Sequence, residues 1–326
     1  MIKVYKTDEL NHNEWTQITN GFNICFNTNH SIEHLKVFYK NTIKGYSYHA
    51  LDIDDETGNL RGYNSFLPTE YKYRGEILLG GISGGTYVLP EYRKDVFIFM
   101  NLMSSLFKYC KNEGMIIKVG VPNKNSFKYT IKINKAKLVG YLNYYILPLK
   151  PFRFLKNKVM QALNFIPYTF AWLCLLINYL IGFFFNFQKK ECKFELNISP
   201  EFLKTRFSNS EVYNHIQNNK YNCYYRLYRE SNVDVAYLMD FREGDKRTFR
   251  SLIYALWNIM KKEDVAMILY VGTMNMSQIA MLKLPHRFDP KPLPLTINVL
   301  NKDKQISEDA ENLASWDFGL INFDAR

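Results

Sequence analysis

Cysteine is scarce in this sequence. Its five residues, Cys25, Cys110, Cys174, Cys192 and Cys223, are odd in number and form no Cys-x-x-Cys pair. A metal or disulfide framework is therefore not expected, and the thiols read as reduced, buried groups of a cytoplasmic protein. The six histidines form no HExxH or other closely spaced ligand set, and His286 follows Pro285 in a loop, so no metal site is expected. A Walker loop and a Gly-x-Ser-x-Gly elbow are also missing, which removes ATP and serine-hydrolase chemistry from the expectations. The opening residues Met1-Ile2-Lys3-Val4-Tyr5-Lys6 carry no apolar core of signal-peptide length, which disfavours secretion.

The longest absence is of charge. From Val159 to Gln188 there is no Asp, Glu, Lys or Arg, and the twenty residues from Tyr168 to Phe187 are nearly all apolar. Twenty apolar residues are about the length that crosses a bilayer core. Seven cations (Lys150, Arg153, Lys156, Lys158, Lys189, Lys190 and Lys193) and one acid, Glu191, flank the run, so 7 − 1 = +6 of the net +11 lies there. That location points to anionic headgroups rather than to nucleic acid. Both flanks are basic, which gives a single span no preferred orientation, and Pro167, Asn178 and Gly182 interrupt the run. An amphipathic hairpin in the membrane interface, a buried connector and a full span are the three readings, the hairpin being preferred.

An apolar content of 47% excludes disorder, and 326 residues suffice for two domains. Strands are expected at Tyr46–Asp52, Gly62–Leu67 and Glu76–Val88, the first two joined across Asp54–Asn59. A 3.6-residue period predicts a helix over Val96–Lys111, with Gly114 past its end. Strand Met115–Val121, a short helix at Ser126–Asn134 and a strand at Lys137–Leu147 follow. The second half repeats the order: strands Cys223–Tyr228 and Val233–Phe241, helix Arg247–Met260, strand Ala266–Val271, a short helix Ser277–Leu284 and strand Leu295–Leu300. The expected class is α/β (α+β), with two domains that each hold a mixed central sheet flanked by helices. The ranges are 1–150 and 194–326, with 151–193 as an apolar helical connector.

The turn Tyr92-Arg93-Lys94-Asp95-Val96 opens the first of these helices and supplies two cations, the setting in which a pyrophosphate is gripped by amides and the helix dipole. Here the chain resembles the GNAT acyltransferase superfamily, through Val88-Leu89-Pro90-Glu91-Tyr92-Arg93 and Gly120-Val121-Pro122-Asn123-Lys124-Asn125-Ser126. The resemblance implies two GNAT-like domains, acetyl-CoA or another acyl-CoA as co-substrate, and a cofactor site of Tyr87, Val88, Arg93, Lys94, Asp95, Val96, Asn123, Asn125 and Ser126. The Pro-Asn-x-x-Ser form, with Lys132 and the ending Trp316-Asp317-Phe318…Asn322-Phe323-Asp324, looks like a subgroup linked to cell-surface polysaccharide synthesis, which implies a small or lipid-linked amino-sugar acceptor.

The departures fall at defined positions. The family's Arg/Gln-x-x-Gly-x-Gly/Ala loop has Val96 and Ile98 at its small positions and gains Asp95. The acid tyrosine is Thr130, with Tyr129 next to it, and Asn134-Lys135 replaces a Gly-Phe pair. Acyl transfer to an amine needs a base and an acid for the leaving thiolate. Glu76 is the candidate base, with Glu91, Glu70 and His49 as rivals, and Tyr129 is the candidate acid. The turn from Asp240 to Arg247 reads as structural, its Arg242, Lys246 and Arg247 diluted by three acids. A catalytically lapsed binding or scaffold protein and an aminoacyl-tRNA-dependent transferase are the alternative readings, nucleic acid being the less favoured partner.

Overall fold

A computed structural model describes residues 2–155, 157–185, 187, 189–301 and 303–323; Met1, Lys156, Gln188 and Asp324, named above, lie outside them. The chain begins with β1 (Ile2–Lys6), α1 (His12–Phe26), α2 (Ile32–Lys40), β2 (Tyr48–Ile53), β3 (Leu60–Tyr73) and β4 (Glu76–Val88). It continues through α3 (Val96–Asn112), β5 (Ile117–Gly120), α4 (Lys124–Lys132), β6 (Lys137–Tyr141), β7 (Asn143–Pro148), α5 (Lys158–Ala162) and α6 (Phe165–Phe184). Then follow β8 (Phe194–Leu196), α7 (Pro200–Arg206), β9 (Asn214–Gln217), β10 (Tyr221–Glu230), β11 (Val233–Glu243) and α8 (Phe249–Lys262). Last come β12 (Met267–Gly272), β13 (Leu282–Lys283), β14 (Pro294–Val299), α9 (Lys304–Ala310) and the short β15 (Trp316–Asp317).

Two compact units form, each discontinuous in sequence: Met1–Tyr141, Lys193–Arg206 and Leu293–Ser315 make the first, and Leu142–Cys192, Phe207–Pro292 and Trp316–Arg326 the second. The first is built on a sheet in the order β1-β2-β3-β4-β5-β14-β6, antiparallel except for the parallel β4/β5 pair. The side chains of β2 and β3 alternate between its faces. Tyr48, Ala50 and Phe66 pack with Ile98, Leu102, Met103, Leu106 and Cys110 of α3 on one face. Leu51 and Tyr63 join Trp15 and Ile18 of α1 and Leu35 and Tyr39 of α2 on the other. Helix α1 was not anticipated, although Asn11 and Glu14 form a reciprocal capping box at its start, at 2.9 and 3.0 Å.

The second unit has the sheet order β13-β7-β12-β11-β10-β9, again with one parallel pair, β11/β12. In the expected Lys137–Leu147 strand the chain leaves the first sheet at Tyr141 and enters the second at Asn143. Conversely, β14, expected to close the second half, pairs with β5 and β6 in the first unit. Each half of the sequence thus supplies the strand that covers the other half's parallel strand. The helix expected at Ser277–Leu284 does not form. Ala280 and Met281 are buried there while Ile279 and Leu282 face solvent, and the Gln278 side chain brackets Met281, its amide donating to the Met281 carbonyl and its oxygen accepting the Met281 N–H.

The apolar segment is one continuous helix, α6, rather than a hairpin. Pro167 sits in its first turn, where a missing N–H costs nothing, and Asn178 Nδ2 donates back to the Cys174 carbonyl at 2.7 Å. Gly182 lies where Phe249 and Arg250 of α8 pass close by. Ala171, Leu175, Asn178 and Gly182 are buried against the second unit, and most of the remaining surface is exposed. Among the described residues this is the one helix long and apolar enough to cross a membrane.

His49 on β2 is completely buried, its ring nitrogens 2.9 Å from Thr7 Oγ1 and 2.7 Å from Tyr63 Oη. Burial holds its pKa down to about 3. The unfolded chain therefore binds a proton below about pH 6.5 that the native one refuses. Stability should fall as pH drops from 6.5 toward 3, by on the order of 4 kcal/mol from this group alone. Urea midpoints across that range should show a flatter profile in His49→Gln than in the native protein.

Candidate active site

The site begins where two parallel strands part. β4 pairs with β5 only at Gly80–Ile117, Gly81–Lys118 and Ile82–Val119. Beyond Ile82, β4 runs on to Val88 against β3 alone, and β5 ends at Gly120 with β14 on its other side. Near the parting the β3/β4 register shifts: Asn64 pairs with Thr86 and Phe66 with Ser83, leaving Gly84 and Gly85 opposite the single residue Ser65. The Gly85 amide donates to Ser65 Oγ at 2.8 Å. A side chain at either glycine would collide with Leu67 and Ser65 or with Phe22 and Tyr39.

Lys118 lies in this fork. It is 3% exposed, its Nζ makes no hydrogen bond or ion pair with a described residue, and the ammonium lies 5.9 Å from the Phe66 ring centroid. A Cβ added to Gly120 would meet Lys118 Nζ at 2.9 Å, Thr296 Oγ1 at 3.5 Å and Ser83 Oγ at 3.6 Å, so three polar groups from three strands converge on a glycine. Burial lowers the Lys118 pKa from 10.5 to about 8. The sequence reading passed over this residue. The one signal was a lone lysine inside an otherwise apolar strand expected to be covered on both faces.

The turn before α3 is closed rather than open. The amides of Tyr92, Arg93 and Asp95 donate within the turn to Leu89, Pro90 and Tyr92. Asp95 caps α3, accepting the Phe97 amide at 2.9 Å, so a carboxylate stands where a phosphate would dock. Arg93 points back: its Nε donates to the Val88 carbonyl at 3.2 Å and its Nη2 approaches Cys25 Sγ at 3.7 Å. Ile98 is buried in the α3 core and blocks nothing, whereas Val96 is exposed. The turn as folded does not fit a pyrophosphate. Tyr87 is also committed elsewhere, its hydroxyl donating to the Ile18 carbonyl at 2.8 Å from a buried position. Lys94 is exposed.

Asn123 caps α4, its Oδ1 accepting the amides of Asn125 and Ser126 at 3.0 and 2.9 Å and the Ser126 hydroxyl at 3.1 Å. Glu76 stands exposed at the start of β4, four residues before the paired segment. Tyr129 is half exposed on α4, its ring edge-on to Phe99. Of the rival bases, His49 is sealed in the core, and Glu70 is engaged by Lys44 and Asn197.

In the second unit the equivalent fork is filled. Arg247, 5% exposed, donates to Asp240 Oδ1 on β11 at 2.9 Å, to Asp317 Oδ1 at 3.0 Å and to Tyr270 Oη on β12 at 3.3 Å. Arg242 also holds Asp240, and Lys189 holds Asp317. The Phe318 carbonyl would lie 2.3 Å from a Cβ on Gly272, so the chain's last segment closes over the end of β12. The Asp240–Arg247 turn is structural, as its balance of charges suggests.

No family model matches the sequence, and no curated protein sequence matches it. Solved structures do resemble it. A GCN5-related N-acetyltransferase from Anabaena variabilis ATCC 29413 superposes with a TM-score of 0.57 at 9% identity, over 92% of this chain and 73% of that one. One from Kribbella flavida gives 0.56 at 8% identity, over 92% and 71%. A probable N-acyltransferase of unknown function from Enterococcus faecalis V583 gives 0.55 at 12%, over 92% and 73%. The chain has the GCN5-related N-acetyltransferase fold. Within it, a parallel pair that separates, an α3 entered through a tight turn and a closing strand beyond β5 all lie in the first unit.

Lys118 can be tested without any ligand. Its native amine titrates near 8 and its unfolded amine near 10.5, so the unfolded chain binds more protons between those values and the burial penalty is fully present below about pH 8. Lys118→Met should raise the thermal midpoint at pH 7, by on the order of 2–3 kcal/mol of stability. The gain should shrink and vanish as pH rises through 10.5. A group kept for function at the expense of stability behaves this way.

Proposed function

We propose that the protein is an N-acyltransferase that works in the fork of its first unit, passing an acyl group from an acyl thioester such as acyl-CoA to an amine. One observation carries this reading: a buried amine and two hydroxyls, Lys118, Ser83 and Thr296, converge where β4 and β5 separate, in a fold shared with N-acetyltransferases. A bound acyl thioester supplies an electrophilic carbonyl and a sulfur leaving group. Lys118 Nζ, with a pKa near that of a free thiol, is matched to give up a proton to a departing thiolate. It takes the role that the exposed Tyr129 was expected to fill. Ser83 and Thr296 orient the arm, whereas Glu76, seven strand residues and about 23 Å from Ser83 along β4, stands too far from the fork to serve as its base. The amino-sugar acceptor, a role in envelope polysaccharide synthesis and a duplicated GNAT-like ancestry belong to the same proposal, resting on the Pro122-Asn123-x-x-Ser126 pattern and on the matching order of the two sheets.

A second reading, a lapsed enzyme that binds rather than acylates, is favoured by the Asp95 carboxylate at the Phe97 amide and by the retracted Arg93. The two readings separate in one set of measurements. Calorimetric titration with acetyl-CoA and longer acyl-CoA, followed by free-thiol release with a panel of amines that includes amino sugars, should show binding and turnover. Asp95→Asn should tighten CoA binding about threefold to tenfold by removing a like charge, with little change in helix stability because asparagine caps about as well as aspartate. Lys118→Met should leave binding within a few-fold and lower kcat by about a hundredfold or more. The alkaline limb of the kcat profile, where activity falls as pH rises through about 8, should belong to Lys118 and be absent in the variant. Binding without thiol release under all conditions favours the lapsed reading, and absence of both binding and release ends the acyl-CoA proposal.

A further inference from the structure

Helix α6 presents two stripes of opposite character. Ala171, Leu175, Asn178 and Gly182 recur at helical spacing and are buried. On the opposite side Ile166, Phe170, Leu173, Ile177, Leu180 and Phe184 recur at the same spacing, and their exposure runs from 45% for Leu173 to 75% for Phe184. That stripe follows a 20-residue helix, about 30 Å long at 1.5 Å per residue, that contains no Asp, Glu, Lys, Arg or His. Trp172 and Tyr179, seven residues apart, are also exposed beside it. A contiguous apolar surface of this length is not kept in water without an occupant.

The rim identifies the occupant's charge. Trp172 of α6 lies 6.0 Å from Trp257 of α8, and Gly182 lies against Phe249, so the two helices run antiparallel and the end of α8 reaches the start of α6. Lys261 and Lys262 are therefore at that end, together with Lys158 at the start of α5. Lys150 and Arg153 join them through Asp264, and Lys150 also lies over the Tyr168 ring at 5.5 Å. Five cations against Glu263 and Asp264 give 5 − 2 = +3 at one end of an uncharged apolar stripe. Lys190 is exposed beyond the other end.

We infer that α6 is an in-plane membrane anchor, its Ile166–Phe184 stripe entering the acyl boundary of an anionic bilayer while the cations at its ends meet the headgroups. The helix does not leave the protein to span. Arg250 of α8 donates from Nε to the Gly182 carbonyl at 2.6 Å and from Nη2 to the Phe183 carbonyl at 3.2 Å. Carrying α6 across the bilayer would either break that packing or drag an arginine into hydrocarbon. A shallow pose needs neither, because the buried stripe stays on the second unit and the exposed stripe faces lipid.

The test is vesicle co-sedimentation of the full chain. With vesicles of 70% phosphatidylcholine and 30% phosphatidylglycerol the protein should pellet. With pure phosphatidylcholine binding should be at least tenfold weaker, and 0.5 M salt should reduce the anionic binding severalfold. Phe170→Glu, Ile177→Glu and Phe184→Glu together should abolish binding to both. Lys158→Glu with Lys261→Glu should remove only the preference for the anionic vesicle. Because the triple change is at exposed positions, its circular dichroism melt should match the parent. If it does not, quenching of Trp172 fluorescence by bromine-labelled lipid in the unaltered protein gives the same answer. Failure of the parent to pellet with either vesicle, or light scattering showing a dimer that the triple variant dissociates, would overturn the anchor in favour of a free or self-paired helix.

Discussion

The short parallel pairing of β4 with β5 is the constraint on which the first unit depends. Only three residue pairs join the strands before β4 continues alone. A parallel strand so weakly attached on one side must be held from the other, and β14 does this with four antiparallel pairs from Gly120 back to Ile117. The fork is thus fixed by a strand that arrives about 180 residues later in the chain. Its lining depends on glycine: Gly120 leaves the room in which Lys118, Ser83 and Thr296 converge. An isolated buried ammonium is costly, and its retention beside two hydroxyls at a strand parting is the feature most readily explained by chemistry.

The second unit's six-stranded sheet also holds one parallel pair, and the space beyond that pair is used differently. Its parallel pair has two registered residues, and the gap beyond them is occupied by Arg247, held by Asp240, Asp317 and Tyr270. Here burial and charge are matched: opposed carboxylates hold the guanidinium charged, and the arginines keep Asp240 and Asp317 below the usual carboxylate range. An ion network of this kind closes a cleft. The binding chemistry proposed above therefore belongs to the first unit, and the second unit carries α6.

What was legible in the sequence was local. Helix α3 and strand β5 were found because apolar period and length report burial directly, and the β2/β3 turn because Asp54 caps its own loop through Glu56 and Thr57. Helix α1 was missed although Asn11 and Glu14 announce it. The Arg93 turn was read as a phosphate cradle from its place at the start of a helix, its two cations and its resemblance to the family's loop. Whether an aspartate repels a ligand or caps its own helix depends on a side-chain torsion that composition does not contain.

By itself the sequence determined the class of structure and the kind of chemistry to look for. Alternating and helical periods, five cysteines without a Cys-x-x-Cys pair, and an uncharged run between basic flanks are properties of short segments. Tertiary structure decided everything that needed residues distant in sequence to meet. It exchanged the closing strands, turned Arg93 away from its expected ligand, and gathered Lys118, Ser83 and Thr296 around Gly120. It also decided that α6 would show lipid-like side chains to solvent rather than hide them. The reason is common to all of these: a local pattern says how much of an element wants to be buried, and only the packed fold says which neighbour, or which solvent, it is buried against.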